Sequence, residues 1–388
     1  MKEFIEKILD KEKENVIFLR RELHKHPELS GCEYKTVEFI ENYLKDVGYT
    51  PKRVTQTGVL AYLNCGFDDT TLLRADIDAL PVLEKNDTDY KSQNEGVMHA
   101  CGHDAHTAML LVTAKILWEN KEKLNTNVLF VFQPDEEMDG GAKPIIDTGI
   151  LREYNVKKAL GYHVTNDVPA GYVMIKAGAI MAAPDDFSIK IIGRGGHGAL
   201  PEKCIDPLVV AANIIPRLNA ITHTTIKKGE KQVVHVCMLN SGTSYNVIPN
   251  ECFISGTARS FDEDVRTKIP ELMENITKEE CEKYITKYEF TFNYRYPPLI
   301  NSEEVANKVK ETVQKTFGDI VTSWDEPQMT GEDFAYFAKE IPSLFMFLGT
   351  ANEEKKITMP LHSENFEIDE NGLLTGVGIY LALLFEEK

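Results

Sequence analysis

The stretch NVLFVFQPDEE, residues 127–137, joins an apolar run typical of a buried strand to a turn that carries three carboxylates. Before it, residues 33–47 predict a helix, residues 71–77 (TLLRADI) predict another strand, and residues 105–118 predict a second helix with Asp104 as its N-cap. After it, residues 157–164 (KKALGYHV) predict a further strand. Strands that alternate with helices favour an α/β domain, so we predict a largely parallel sheet flanked by helices.

A different pattern begins near residue 184 and ends near residue 297. Four strands and two helices follow one another in the order β-α-β-β-α-β, which is the order of a ferredoxin-like α+β domain. The strands are predicted at residues 186–193, 232–239, 251–261 and 288–294. We therefore predict a large domain of residues 1–183 and 298–388, interrupted by an inserted domain of residues 184–297.

Length and charge limit the possible partners. A chain of 388 residues exceeds the usual size of a single hydrophobic core, which agrees with two domains. The 43 basic and 61 acidic residues give a net charge of −18, which disfavours nucleic acid and anionic membrane surfaces as partners. The N-terminal segment lacks the uncharged run of a signal peptide, and the seven scattered cysteines are typical of reduced cytosolic thiols. We expect a cytoplasmic protein with no nucleic-acid and no membrane partner.

Four polar clusters lie at the predicted ends of strands or at the start of a helix. They are RADIDALP (74–81), MHACGHDAH (98–106), QPDEE (133–137) and GYHV (161–164). Open α/β sheets bind their ligands in the crevice beyond the carboxyl ends of the strands. We therefore expect the four clusters to converge on one site.

The residue types in these clusters are those of a metal site. Thiolate, imidazole and carboxylate groups suit zinc or a similar divalent ion. Glu136 and Glu137 are adjacent, so on an extended chain they point in different directions. One can then bind metal while the other faces the substrate water, a division that metal-assisted hydrolysis requires.

Each of these residues also has a simpler interpretation. Cys101 is compatible with an ordinary buried cysteine, His163 with a hydrogen-bonded core histidine, and His106 with a residue at a helix start. Asp76 and Asp78 are compatible with a turn before Pro81. A functional alternative to a metal site is a cysteine-based redox or nucleophilic enzyme, because histidines near Cys101 would lower the pKa of its thiol.

Eight motifs together resemble a known family of two-metal aminoacylases and carboxypeptidases. They are MHACGHDAH, QPDEE, GYHV, GGHGALP, NVIP, GTARSF, TGEDFAYF and PLHSENF. Within that family they are most similar to the branch of hippurate hydrolases, N-acyl-amino-acid deacylases, N-acetyldiaminopimelate deacetylases and auxin-conjugate amidohydrolases. The resemblance extends from about Leu23 to the C-terminus.

The resemblance implies a catalytic larger domain that holds two divalent metal ions per chain. Zinc is the first expectation, with manganese, cobalt or nickel as alternatives. The implied metal ligands are Cys101, His103, Glu137, His163 and His362. Glu136 matches the general base of the family. Relatives have His-x-Asp where this chain has Arg74-Ala75-Asp76. Asp76 is therefore expected to orient one of the metal ligands without binding the metal itself.

The resemblance also implies that the inserted domain forms a homodimer and acts as a lid. His197, in GGHGALP, matches a histidine that reaches the active site of the partner and stabilises the oxyanion. Asn246 and Arg259 match positions that hold the carboxylate of the substrate.

The expected function is metal-dependent cleavage of the amide bond of a small N-acyl amino acid, that is, a deacylase. A dipeptidase or carboxypeptidase with the same two-metal site is the nearest alternative. An N-acetyldiaminopimelate deacetylase of lysine biosynthesis, or a non-catalytic binding protein on the same fold, are less favoured alternatives.

Overall fold

The computed structural model describes residues 2–324 and 326–385. Its chain divides into two compact units. The first unit comprises residues 1–178, 301–325 and 336–388, and the second comprises residues 179–300 and 326–335. The sequence places the insertion at residues 184–297, whereas the second unit begins at residue 179, continues to residue 300 and also takes in ten residues further along the chain.

The elements follow one another in chain order. The α-helices are α1 (Lys2–Lys25), α2 (Tyr34–Val47), α3 (His103–Glu119), α4 (Ala142–Asp147), α5 (Ile150–Glu153), α6 (Pro207–Ala220), α7 (Glu263–Tyr284), α8 (Glu303–Phe317), α9 (Ala335–Glu340) and α10 (Asn371–Leu384). The strands are β1 (Lys52–Arg53), β2 (Val59–Leu63), β3 (Thr70–Asp76), β4 (Asn127–Gln133), β5 (Val156–Pro169), β6 (Val173–Met174), β7 (Gly178–Met181), β8 (Ala183–Ile192), β9 (Gly196–His197), β10 (Gln232–Ser241), β11 (Val247–Ile248), β12 (Glu251–Ser260), β13 (Lys287–Asn293), β14 (Leu299–Asn301), β15 (Val321–Thr322) and β16 (Ser343–Ala351). None of the helices in the described part of the chain combines the length and the apolar character that crossing a bilayer requires.

The first unit is built on an eight-stranded sheet in the order β1-β2-β4-β3-β5-β16-β6-β15. Its four central strands, β4, β3, β5 and β16, are parallel to one another, while β1, β2 and β6 join through antiparallel pairs. All residues of β3 and β4 are buried. Strands covered on both faces need apolar residues at successive positions, which explains why these segments appear as continuous apolar runs. The predicted largely parallel sheet flanked by helices is confirmed.

The second unit contains a four-stranded antiparallel sheet in the order β10-β12-β8-β13. Helices α6 and α7 lie between its strands in sequence, and their apolar side chains share one core with the sheet. Asp206 and Asp262 cap the two helices by accepting hydrogen bonds from backbone N–H groups of the first turn. The predicted ferredoxin-like order of elements is therefore present.

Helix α3 differs from its prediction at its first turn. The sequence predicts Asp104 as the N-cap, but the helix begins at His103 and the N-cap residue is Gly102. The Asp104 carboxylate instead accepts hydrogen bonds from Arg20 Nε at 2.9 Å and His24 Nδ1 at 2.7 Å, and both partners are buried. Asp104 thus forms an ion pair between α1 and α3 instead of capping α3. Leaving the buried Arg20 guanidinium without a negative partner would cost more free energy than leaving the helix end without a cap.

Candidate metal centre

Five candidate ligands from separate segments of the chain come together within the first unit. Cys101 lies in the loop before α3, and His103 is the first residue of that helix. Glu137 lies in the loop after β4, and His163 lies within β5. His362 comes from the loop between β16 and α10, about 200 residues further along the chain. Their donor atoms lie close enough together to form overlapping three-residue groups that could hold a metal ion.

The shortest distances surround the Cys101 sulfur. It lies 3.2 Å from His163 Nε2 and 3.3 Å from His362 Nε2. Glu137 Oε1 is 3.4 Å from His362 Nε2 and 3.8 Å from His103 Nε2. The Cys101 thiol therefore lies between the imidazoles of His163 and His362. The Glu137 carboxylate lies between the imidazoles of His362 and His103. Cys101 thus belongs to two of the three-residue groups that could hold a metal ion.

Two buried donor atoms in this cluster have no hydrogen-bond partner among the described residues. They are His103 Nε2 and Glu137 Oε1. A buried polar atom without a partner costs about 1–3 kcal/mol, so proteins rarely leave one unsatisfied. A divalent cation would satisfy both atoms, and the thiol, imidazole and carboxylate set suits such an ion. The residues present therefore fit the metal ions that the sequence implies.

The two buried imidazoles are held with their Nε2 atoms free for metal. His163 Nδ1 lies 2.7 Å from the backbone oxygen of Val164, and only an N–H can donate to that oxygen. His103 Nδ1 lies 3.1 Å from a carboxylate oxygen of Asp78 and likewise donates. Nδ1 therefore carries a proton in each ring, and Nε2 is the ring atom that faces the cluster. Outer contacts of this kind fix ring orientation and raise ligand basicity.

Asp78, which the sequence did not single out, is the carboxylate that orients His103. Its other oxygen accepts hydrogen bonds from Ser30 Oγ at 2.7 Å and from the backbone N–H of Glu137 at 3.0 Å. One carboxylate thus fixes a ligand ring and the backbone of a second ligand. Burial would raise the pKa of Asp78, but the hydrogen bond from His103 and the other donors lower it, so the charged form prevails.

Asp76, which was expected to orient a ligand, makes a different set of contacts. Its carboxylate binds Arg74 Nη1 at 2.7 Å and His106 Nδ1, and it lies 3.7 Å from His103 Nε2. His106 Nε2 in turn accepts the backbone N–H of Val164, next to His163. Asp76 therefore reaches the centre through His106, which holds the backbone beside His163, rather than by a hydrogen bond to a ligand ring.

Replacing Asp78 by asparagine is expected to weaken metal binding by about 10–100-fold. An amide offers one acceptor and one donor, so it cannot accept from both His103 and the Glu137 backbone through equivalent oxygens. Competition with a chromophoric chelator measures the affinity. The matched control is Ser30→Ala, which removes a partner of Asp78 but leaves both contacts to the ligands. Equal losses in the two variants would contradict the assigned role of Asp78.

Without a cation, the electrostatics of the centre oppose a thiolate. Burial raises the pKa of the Cys101 thiol well above its usual value, and the charges of Glu137 and Glu136 raise it further. Burial opposes a charge on His103 as well, but the surrounding carboxylates, Asp76 first, raise its pKa to about 10. The Cys101 thiolate therefore needs a positive charge supplied at the cluster, which is the condition under which cysteine serves as a metal ligand.

The backbone around the cluster adopts conformations that few residues tolerate. Gly102 has φ of +84°, and a Cβ at this position would lie 2.4 Å from Val164 Cγ2. Only glycine can therefore bring Cys101 and His103 together across this turn. His362 has φ of +66°, and its backbone N–H donates to the oxygen of Ala100 at 2.8 Å. A non-glycine residue in this region is strained, and such strain is common at functional sites.

Glu136 lies beside the cluster but is less central than Glu137. It is 8% exposed, and a carboxylate oxygen lies within 4.8 Å of ligand atoms of His103 and Glu137. The preceding residue, Asp135, has φ of +57°, and this left-handed turn follows directly after Pro134 at the end of β4. Glu136 and Glu137 thus lie in a turn rather than on the extended chain that the sequence predicts.

The remaining candidate residues belong to the second unit. His197 and Asn246 lie together, because β9 and β11 form a two-stranded antiparallel pair and the Asn246 oxygen accepts the N–H of Gly198 at 2.8 Å. Both side chains are exposed. Arg259, on β12, donates to the backbone oxygens of Asp185, Ala258 and Met329. No carboxylate in the described part of the chain lies within 4 Å of its guanidinium, and burial lowers its pKa.

Comparison with known proteins gives a consistent assignment. Residues 72–386 match the model of a family described as peptidase family M20/M25/M40. The chain is 42% identical over 306 residues to an N-acyl-L-amino acid amidohydrolase of Geobacillus stearothermophilus, which covers 78% of this chain and 82% of that protein. It is 37% identical over 381 residues to thermostable carboxypeptidase 2 of Saccharolobus solfataricus, with 96% of each chain covered.

A solved structure extends this likeness to three dimensions. The Bacillus subtilis YXEP protein, described as a dinuclear metal binding peptidase from the M20 family, is 32% identical to this chain with a TM-score of 0.85. The likeness covers 96% of this chain and 98% of that one. The family resemblance inferred from the eight motifs is confirmed.

Proposed function

The chain belongs to peptidase family M20/M25/M40 and is a hydrolase of amide carbon–nitrogen bonds, and from this premise we propose that its substrate is an N-acyl amino acid. The observation that carries the proposal is the position of Glu136 beside a five-donor metal cluster within one unit. The likeness to an N-acyl-L-amino acid amidohydrolase supports this class of substrate.

In the proposed reaction, Glu136 accepts a proton from the attacking water and passes it to the amine that leaves. Two divalent metal ions, when bound, supply Lewis acidity that polarises the amide carbonyl and lowers the pKa of the water. Cys101 would be one of the residues that hold the ions, and its sulfur lies beside the imidazoles of His163 and His362. Glu137, His103, His163 and His362 complete the ligand set.

We propose that Arg259 and Asn246 bind the carboxylate of the substrate. The Arg259 guanidinium has no carboxylate partner in the described part of the chain, although it is partly buried. Burying an unpaired cation is costly, so a ligand carboxylate that completes the pair would be favourable. The planar guanidinium can donate two parallel hydrogen bonds to such a group.

The proposed active unit is a homodimer formed through the second unit. Strand β10 is at the edge of its sheet, and among the described residues it pairs only with β12. Met238 and Leu239 on this strand are 42% and 45% exposed. An apolar edge strand is a surface that proteins usually cover or pair, and a twofold mate would do so.

A dipeptidase or carboxypeptidase activity is the second candidate, favoured by the likeness to thermostable carboxypeptidase 2. Both types of substrate present an amide next to a carboxylate, so the same site would serve either. Hydrolysis rates for matched pairs, such as N-acetyl-methionine and alanyl-methionine, separate the two when assayed with zinc, manganese, cobalt and nickel. Faster hydrolysis of alanyl-methionine, which has a free amino terminus, would overturn the deacylase proposal. It would leave the proposed metal centre unaffected.

Replacing Cys101 by alanine is expected to lower metal content to about one ion per chain or fewer, because Cys101 belongs to two of the three-residue groups that could hold a metal ion. Metal analysis of purified protein measures this content. The matched control is Cys252→Ala, an equally buried cysteine in the core of the second unit, which should leave metal content unchanged. Unchanged metal content and rate in Cys101→Ala would remove Cys101 from the proposed site.

A further inference from the structure

A cavity of about 340 Å³ lies in the first unit at the end of the sheet opposite the metal centre. It is lined by the first residues of β3 and β5 and by one face of α8. The metal-centre residues follow the carboxyl ends of β3 and β4 or lie further along β5, so the two sites are at different ends of the same strands. Its volume is at the lower end of the range for small-molecule pockets.

The walls of this cavity carry an excess of positive charge. Lys157, Lys158 and Lys308 all line it, and in the described part of the chain no carboxylate lies within 4 Å of any of their ammonium groups. Two carboxylates, Asp69 and Glu304, also line the cavity; they are exposed, as are Lys157 and Lys308, whereas Lys158 is partly buried. Three unpaired lysines around one cavity are unexpected in a chain whose net charge is −18. An anion is the ligand that would offset their mutual repulsion.

Two further observations point to a ligand at this position. Thr70 Oγ1 is buried and has no hydrogen-bond partner, and Thr70 lines the cavity. Lys158 is partly buried, and burial, together with the charge of Lys308, lowers its pKa. An acceptor placed between the two lysines and within reach of the hydroxyl would satisfy all three groups.

The remaining lining determines what the anion would carry. Leu160, Val309 and Leu383 are apolar residues of this cavity, and Leu160 and Val309 are buried. Leu383 is only partly buried, so it leaves apolar surface that a purely inorganic anion would not cover. We propose that the cavity binds a small organic anion, with its charged head between Lys158 and Lys308 and a short aliphatic chain against Leu383.

Calorimetry with the metal-loaded protein tests this proposal. Hexanoate and hexyl phosphate are the probes, and their relative affinity identifies the head group. Lys158→Gln combined with Lys308→Gln is expected to weaken binding of the preferred probe by about tenfold or more, because hydrogen bonds to charged groups are lost. The matched control is Lys310→Gln, an exposed lysine on the same helix that does not line the cavity, and it should bind as the wild type does.

Methyl NMR of the wild-type protein locates the bound probe. The methyl groups of Leu160, Val309 and Leu383 are expected to shift on addition of hexanoate and to shift less with acetate. Binding that is unchanged in the double variant, with no shift of these methyl groups, would place the probe elsewhere and overturn the proposal. Failure of the wild type to bind either probe at millimolar concentration would also overturn it, and equal affinity for acetate and hexanoate would overturn the apolar contact.

Discussion

Glu136→Gln is expected to lower kcat by about 10²–10⁴-fold, the contribution that a general base typically makes. Glutamine keeps the size of the side chain and can still accept a hydrogen bond, but its amide oxygen cannot take a proton from water. Because Glu136 is not among the proposed ligands, metal content should stay near that of the wild type. Steady-state kinetics and metal analysis on the same preparation measure both quantities.

Two companion variants make this experiment decisive. Glu137→Gln removes a proposed ligand, so metal content and activity should fall together. Asp139→Asn changes an exposed carboxylate of the same loop and should leave both unchanged. If Glu136→Gln lost metal while Glu137→Gln kept it, the roles of the two glutamates would have to be exchanged.

His197→Ala is expected to lower kcat by about 10²–10³-fold, because an oxyanion donor of the proposed reaction is removed. His197 is exposed on β9, and its Nδ1 accepts the backbone N–H of Ala199 at 3.1 Å, which leaves Nε2 available to donate. The matched control is His223→Ala, another exposed histidine of the second unit, which should retain full activity. The proposed dimer places the donor in the active site of the partner, and a mixing experiment tests this placement.

In an equal mixture of His197→Ala and Glu136→Gln chains that exchange subunits, half of the dimers are mixed. One of the two sites in each mixed dimer draws its base and its donor from intact sequences, so about a quarter of wild-type activity should return. Neither variant alone should reach this level. If exchange is demonstrated and no activity returns, His197 does not act across the dimer, and a fully active monomer would refute the proposal.

Long apolar elements could be predicted closely from the sequence. Strand β4 has the predicted bounds, and β3 and α2 differ from prediction by only one residue at an end. The two-residue strands, such as β6 and β15, were missed because their pairing depends on neighbours distant in sequence rather than on local pattern. The sequence also failed to predict that residues 326–335 belong to the second unit, because this too depends on contacts between residues distant in sequence.

The candidate site shows the same limit. Residue types and motif order singled out the five proposed ligands, and the structure brings their donor atoms together. The role of Asp78 could not be read from the chain, because Asp76 and Asp78 are chemically identical. Which of them contacts His103 depends on how α3 packs against β3. The pairing of Asp104 with Arg20 was missed for the same reason, since a capping residue and a buried ion-pair residue look alike in sequence.

The pairing of β5 with β16 has a consequence for synthesis of the chain. Phe347 lies opposite His163 in this parallel pair, and the second unit lies between the two strands in sequence. Ribosomes add roughly 5–20 residues per second, so β5 waits roughly 10 seconds or more before β16 emerges. During that interval a central strand of the finished sheet is an open edge, and nascent chains with open apolar edges are prone to aggregate. Chaperone demand should therefore be greatest while residues 170–342 are being translated.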